Sequence, residues 1–137
     1  MRWWLFGLTL ACVPNVGITV YVIDPDPVEQ RRISGALASD AETVLPFASA
    51  ETFLGSRPLR TPAVLVSALV LPGMGIVDLI AELGRAGIAL PVIAIGADVD
   101  VPVAVEIMRA GAADFIERPF SARRLKNAVR KLCGRQG

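Results

Sequence analysis

Histidine is absent from all 137 residues. That removes imidazole-activated nucleophiles, the commonest general base and most zinc sites. Cysteine is nearly absent too: Cys12 and Cys133 lie near opposite ends, with no CxxC spacing. No disulfide framework follows, and a reducing cytoplasm fits best. Charged residues make up only 20% of the chain and leave a formal net charge of +1. No global field therefore points to nucleic acid or a membrane. What is abundant is apolar. A hydrophobic content of 53% excludes disorder and favours a sheet buried on both faces. The length suits one domain with one sizeable core.

The N-terminus departs from the rest. MRWWLFGLTLACVP carries one arginine and then an apolar run from Trp3 to Val13. At about 1.5 Å per helical residue this run is too short to cross a hydrocarbon core of about 30 Å. A signal-peptide reading lacks a strong basic start and an A-x-A site. The lipoprotein pattern at Leu8–Cys12 is poor, because Thr9 stands where an aliphatic residue belongs. Residues 1–16 are read as an apolar extension. It either precedes a later start at Val16 or packs on the domain or on a membrane surface, with Trp3, Trp4, Leu5 and Phe6 as interfacial anchors. Membrane contact is expected, if anywhere, through residues 3–13. The domain proper is expected over 17–134, with 135–137 a tail.

After Pro14 the chain alternates regularly. Ile18–Ile23 is a continuous β-branched run, the pattern of a buried strand. Asp26-Pro27-Val28-Glu29 opens a helix to about Ser39: Asp26 is the N-cap, Pro27 the first helical residue and Glu29 the capping-box partner. Val28, Ile33 and Leu37 are expected to face the core. Strands follow at Thr43–Phe47, Ala63–Ser67, Pro91–Ile95 and Ala113–Glu117. Ser49 caps a short helix carrying Phe53 and Leu54, and further helices are expected at Met74–Arg85 and Asp100–Arg109, Asp100 capping the latter. Ser121 caps the last helix, which reaches about Cys133 with Leu125, Val129 and Leu132 inward. Five strands alternating with five helices predict an α/β fold, a doubly wound parallel sheet. The flavodoxin-like (βα)5 order 2-1-3-4-5 is the usual one at this length.

Two segments carry a family resemblance. Val92–Phe120, VIAIGADVDVPVAVEIMRAGAADFIERPF, ends in Arg118-Pro119, and Val64–Gly75 reads VLVSALVLPGMG. Together they resemble a bacterial response-regulator receiver domain of the CheY-like superfamily, especially its FixJ-like branch, over roughly Ile18–Leu132. In that family an acidic pair after strand 1 and an aspartate ending strand 3 hold Mg²⁺, and the strand 3 aspartate accepts a phosphoryl group. A Ser or Thr ending strand 4 and a lysine before the proline contact that group. Here Asp24 keeps one member of the acidic pair and Pro25 replaces the other, while Ala68 stands at the acceptor position. Gly96 replaces the hydroxyl residue and Arg118 the lysine. Asp26 could swing toward a metal, but its capping role outweighs that. The resemblance thus implies a degenerate pseudo-receiver, not an enzyme, with Asp24 and Asp26 as mere remnants of a metal site and no cofactor.

Arg118 is expected to form a structural ion pair with Asp24 rather than to stabilise an anion brought by a partner, and the resemblance implies a cis peptide to Pro119. Gly96 is expected to leave a void beside Phe115, letting that ring sit inward. By resemblance, the output surface is the fourth helix, fifth strand and last helix, drawing on Val101, Val105, Arg109, Ala113, Phe115, Arg123 and Arg124. Half the basic residues lie from Arg118 onward, with no acid after Glu117. That fits an acidic partner or a solvated face; without aromatic interleaving, nucleic acid is disfavoured. The function expected is a stand-alone receiver of two-component-type signalling that works by protein–protein contact without phosphorylation. Its partner would be a sensor kinase, another response regulator or a second copy through the output surface. A membrane-surface adaptor anchored by the N-terminal run is the alternative. A flavodoxin-like ligand binder is weak, because Asp24-Pro25-Asp26-Pro27 is acidic and poor in amide donors where phosphate cradling needs them.

Overall fold

The computed structural model describes residues 17–56, 59 and 62–133. The apolar extension assigned to 1–16 and the tail at 135–137 lie outside the described residues. Five parallel strands form one sheet in the order β2-β1-β3-β4-β5, as the alternating pattern predicts. They are β1 (Thr19–Ile23), β2 (Thr43–Phe47), β3 (Ala63–Ala68), β4 (Val92–Gly96) and β5 (Asp114–Glu117). Between and after them run α1 (Pro27–Leu37), α2 (Ala50–Leu54), α3 (Ile76–Arg85), α4 (Val101–Ala110) and α5 (Ala122–Cys133).

Burial explains the sequence pattern. The three central strands are buried along their whole length, which is why they read as unbroken apolar runs. β2 lies at an edge and is mostly half-buried, so it tolerates Pro46, which cannot donate to a ladder. One face of the sheet packs on Ile33 and Leu37 of α1 and on Leu125, Ala128, Val129 and Leu132 of α5. The other packs on Ala50 and Phe53 of α2, Ile76, Leu79 and Leu83 of α3, and Ile107 of α4. Each side chain so buried contributes on the order of 1.5–3 kcal/mol for the larger aliphatics and Phe.

Several expectations are corrected. Val28 is 60% exposed, not in the core: five residues before Ile33 is about 140° around the helix from it. Glu29 does not close a capping box, because the Asp26 N–H it would accept from is bonded to Asp24 Oδ1 at 2.9 Å. α1 ends at Leu37, short of Ser39. α3 starts at Ile76, after Met74, because the Met74 N–H bonds the Glu51 carboxylate at 2.8 Å and Gly75 takes the cap position. Asp100 occupies the N-cap of α4 without a side-chain hydrogen bond. Ser121 does cap α5, accepting from Arg124 N–H at 3.1 Å. α4 stops at Gly111, whose φ of 119° lies where side-chain-bearing residues are disfavoured. A pair between Arg130 Nη2 and buried Asp40 Oδ1, at 3.1 Å, fastens α5 to the turn after α1.

Candidate functional site

A parallel doubly wound sheet gathers its chemistry at the carboxyl ends of the strands. Here those ends bring together Asp24, Ala68, Gly96 and Arg118. Asp24 follows β1 and is 2% exposed. Its backbone N–H bonds Phe47 O at 3.0 Å, and the Gln30 amide reaches both Asp24 O, at 2.7 Å, and Phe47 O, at 3.1 Å. The ends of β1 and β2 are thereby tied to α1. The carboxylate is fully engaged: Oδ1 accepts the Asp26 N–H and Oδ2 accepts Arg118 Nη2–H at 2.8 Å.

Arg118 follows β5, and its N–H donates to Gly96 O at 2.8 Å. That bond and the cis Arg118-Pro119 peptide accompany a side chain directed to Asp24, as expected. A second partner was not foreseen. Arg118 Nε lies 3.2 Å from Glu29 Oε1, an ion contact off the hydrogen-bond axis. Glu29 in turn lies 3.6 Å from Arg32, whose guanidinium sits 5.1 Å from the Phe120 ring centroid. The one sequence signal for this chain of charges was the spacing of Glu29 and Arg32, one turn apart on α1.

Burial foremost, and the Glu29 carboxylate besides, push the Asp24 carboxyl above its ordinary range. The Asp26 N–H and the Arg118 guanidinium oppose that shift without cancelling it. Asp26 is exposed and caps α1, its Oδ1 accepting from Val28 N–H at 2.9 Å. The described residues contain no cluster of three or more His, Cys, Asp or Glu placed to hold a metal ion.

Ala68 ends β3 at 4% exposure. Buried Ser67 donates to Ala68 O at 3.0 Å. Gly96 ends β4, and the void expected beside it does not exist. A Cβ at Gly96 would lie 2.8 Å from Leu69 Cδ2, 3.0 Å from Leu69 Cβ and 3.1 Å from Val99 Cγ2. Leu69 fills that room. The Phe115 ring is half-buried against the cluster on the α2–α3–α4 side, so its packing owes nothing to a cavity at Gly96.

Residues 20–130 match the model of the response regulator receiver domain. The chain belongs to that family. Receivers are signalling modules of two-component systems. This one is 40% identical over 102 residues to the transcriptional regulatory protein FixJ of Rhizobium meliloti (strain 1021), covering 74% of this chain and 50% of that protein. It is 34% identical over 110 residues to nodulation protein W of Bradyrhizobium diazoefficiens, covering 80% and 48%. The chain thus spans about half the length of the curated relatives it matches. Among solved structures, the crystal structure titled FixJ-N superimposes with a TM-score of 0.77 at 36% identity, over 85% of this chain and 93% of that one. Full-length FixJ from B. japonicum gives 0.78 at 30%, over 86% and 58%.

On the receiver's α4–β5–α5 face, Val101 is 76% and Val105 41% exposed, and Arg109 and Arg123 are exposed. Arg124 is committed locally, 3.3 Å from the Asp114 carboxylate and 3.4 Å from Phe115 O. Ala113 is half-buried against the α1–α5 cluster, so it does not join Val101 and Val105. The strand's two-residue alternation, with Ile116 in that cluster and Phe115 in the other, divides β5 between the faces. Ala104, Val105, Met108, Arg109, Asp114 and Phe115 line a groove between α4 and β5.

Proposed function

We propose that residues 17–134 act as a receiver without phosphoryl chemistry, signalling by protein–protein contact through the α4–β5–α5 face. The observation that carries this reading is the guanidinium of Arg118 paired with both Asp24 and Glu29. Of positions 24, 25 and 68, only Asp24 bears a carboxylate, and both its oxygens are occupied. Mg²⁺ requires a hard, near-octahedral oxygen shell, and this donor set does not fit it. Ala68 offers no nucleophile, and Leu69 stands where a hydroxyl side chain at 96 would need to lie.

A sensor kinase or another response regulator is the natural class of partner for that contact. Val101, Val105, Arg109, Phe115 and Arg123 form the contact surface. Arg124 supports it through Asp114.

Incubation with acetyl phosphate and Mg²⁺, followed by intact mass spectrometry, tests the chemistry. The expected result is no phosphorylated species. An acyl phosphate on Asp24 or Asp26 would overturn the reading. Partner capture should be indifferent to phosphodonors and lost on Arg123→Glu.

A further inference from the structure

The helical face of α4 is over-supplied with exposed apolar side chains. Val101 is 76%, Val105 41% and Met108 44% exposed, at i, i+4 and i+7, so they form one stripe. Val105 and Met108, with Ala104 and half-buried Phe115, line a groove of about 500 Å³, a size that accepts a compact apolar ligand. Exposed apolar side chains gathered around one groove mark an interaction site. Arg109 and Asp114 supply polar rim groups at one end.

The same chain carries a matching apolar element. Trp3–Val13 is uncharged and holds both tryptophans and one of the five phenylalanines. It is tethered through Pro14–Val16 to Gly17, just before β1. All five strands are parallel, so each runs away from the end of the sheet at which Gly17 enters, and β5 begins furthest along it. The registers place Asp114 level with Ile93, Val66 and Val22. Asp114 is therefore three strand spacings, about 14 Å, across the sheet from β1 and about 17 Å further along it than Gly17. The diagonal is about 22 Å. Nine residues of extended chain span up to about 30 Å, so everything from Leu8 back to Trp3 is within reach of the groove.

We propose that the apolar run Trp3–Val13 docks in the α4–β5 groove of its own chain, with Trp3, Trp4, Leu5 or Phe6 as the inserted side chains. The segment is thereby an intramolecular cap. A tether this short gives it an effective concentration in the millimolar range, so even weak intrinsic affinity keeps the groove covered. If the face is the output surface, as proposed above, a partner must displace the cap. That regulatory consequence rests on the functional reading; the docking itself does not.

The two tryptophans of the chain both lie in the segment, which makes their fluorescence a direct report. In the full-length protein the emission maximum should be blue-shifted, and iodide quenching weaker, relative to a peptide of residues 1–16. Val105→Glu and Met108→Glu each alter an exposed side chain and should move both readouts to the peptide's values. Circular dichroism should show an unchanged fold. Val28→Glu, on exposed α1, is the control and should change neither. Emission already equal to the peptide's, or unmoved by both groove substitutions, overturns the proposal. So does a blue shift that fades on dilution, which would mean docking on a second copy, or one that appears only with phosphatidylcholine vesicles, which would mean a membrane. No partner enters this experiment, so it can fail while the phosphodonor test succeeds, and the reverse.

Discussion

Replacing Gly96 by threonine would place a hydroxyl at the end of β4, and the structure states what that costs. The new Cβ meets Leu69 Cδ2 at 2.8 Å, Leu69 Cβ at 3.0 Å and Val99 Cγ2 at 3.1 Å. Cδ2 can rotate away. Leu69 Cβ cannot, because the Leu69 N–H is bonded to Ile95 O at 2.7 Å and fixes the backbone. Overpacking a well-filled site costs about 1–3 kcal/mol, offset by about 0.5–1 kcal/mol gained on removing glycine from a strand. The net expectation is a loss of up to about 2.5 kcal/mol, read as a lower urea midpoint at unchanged slope. Leu69→Ala in the same chain removes Cδ2 and should recover part of that loss. The double substitution should be less harmful than the two single losses together by on the order of 1 kcal/mol. A Gly96→Thr protein more stable than the parent, or strict additivity with Leu69→Ala, refutes the claim that Leu69 occupies the site.

Arg118→Met should destabilise by about 1–3 kcal/mol in chemical denaturation, because Asp24 stays buried without its cation while the quarter-exposed position of Arg118 admits some screening. Arg118→Lys should recover only part, since one ammonium replaces a fork that reaches Asp24 and Glu29 together. The pH dependence has a defined sign. The folded-state pKa of Asp24 is raised above its ordinary 3.8, so its contribution is full below that value and is lost as pH rises through the folded-state pKa. The stability of the parent minus that of Asp24→Asn should therefore fall between those two pKa values as pH rises; a difference that climbs instead contradicts the burial argument. Asp98 has a φ of 51°, so Asp98→Gly should gain up to about 1 kcal/mol by relieving a left-handed backbone, visible as a raised melting temperature.

The sheet order and every element were legible because central strands buried on both faces leave unbroken apolar runs, and because Asp26, Ser49 and Ser121 announce three helix starts. The Asp24–Arg118 pair was legible through the receiver resemblance, which places both residues at one cleft although β1 and β5 are three strands apart; an arginine is long enough to cross that gap. Glu29 was misassigned because the capping-box spacing and an ion pair to a distant arginine use the same residue, and only the fold brings Arg118 near. The void at Gly96 was misread for a related reason. A missing side chain leaves space only if no neighbour grows into it, and sequence does not say where Leu69 points. Val28 was misplaced by counting an apolar residue in the first turn as core without checking its angle to Ile33.

A metal ion in such a cleft is an equilibrium visitor, present or absent according to its free concentration. The guanidinium of Arg118 is bonded to the chain, so no chelator removes it and no change in dissolved Mg²⁺ titrates it. On the proposed reading, the charge balance around Asp24 therefore does not follow the cell's free Mg²⁺ or phosphodonor level. What remains able to disturb it is another anion competing for Arg118 at contact distance, or a proton arriving on Asp24.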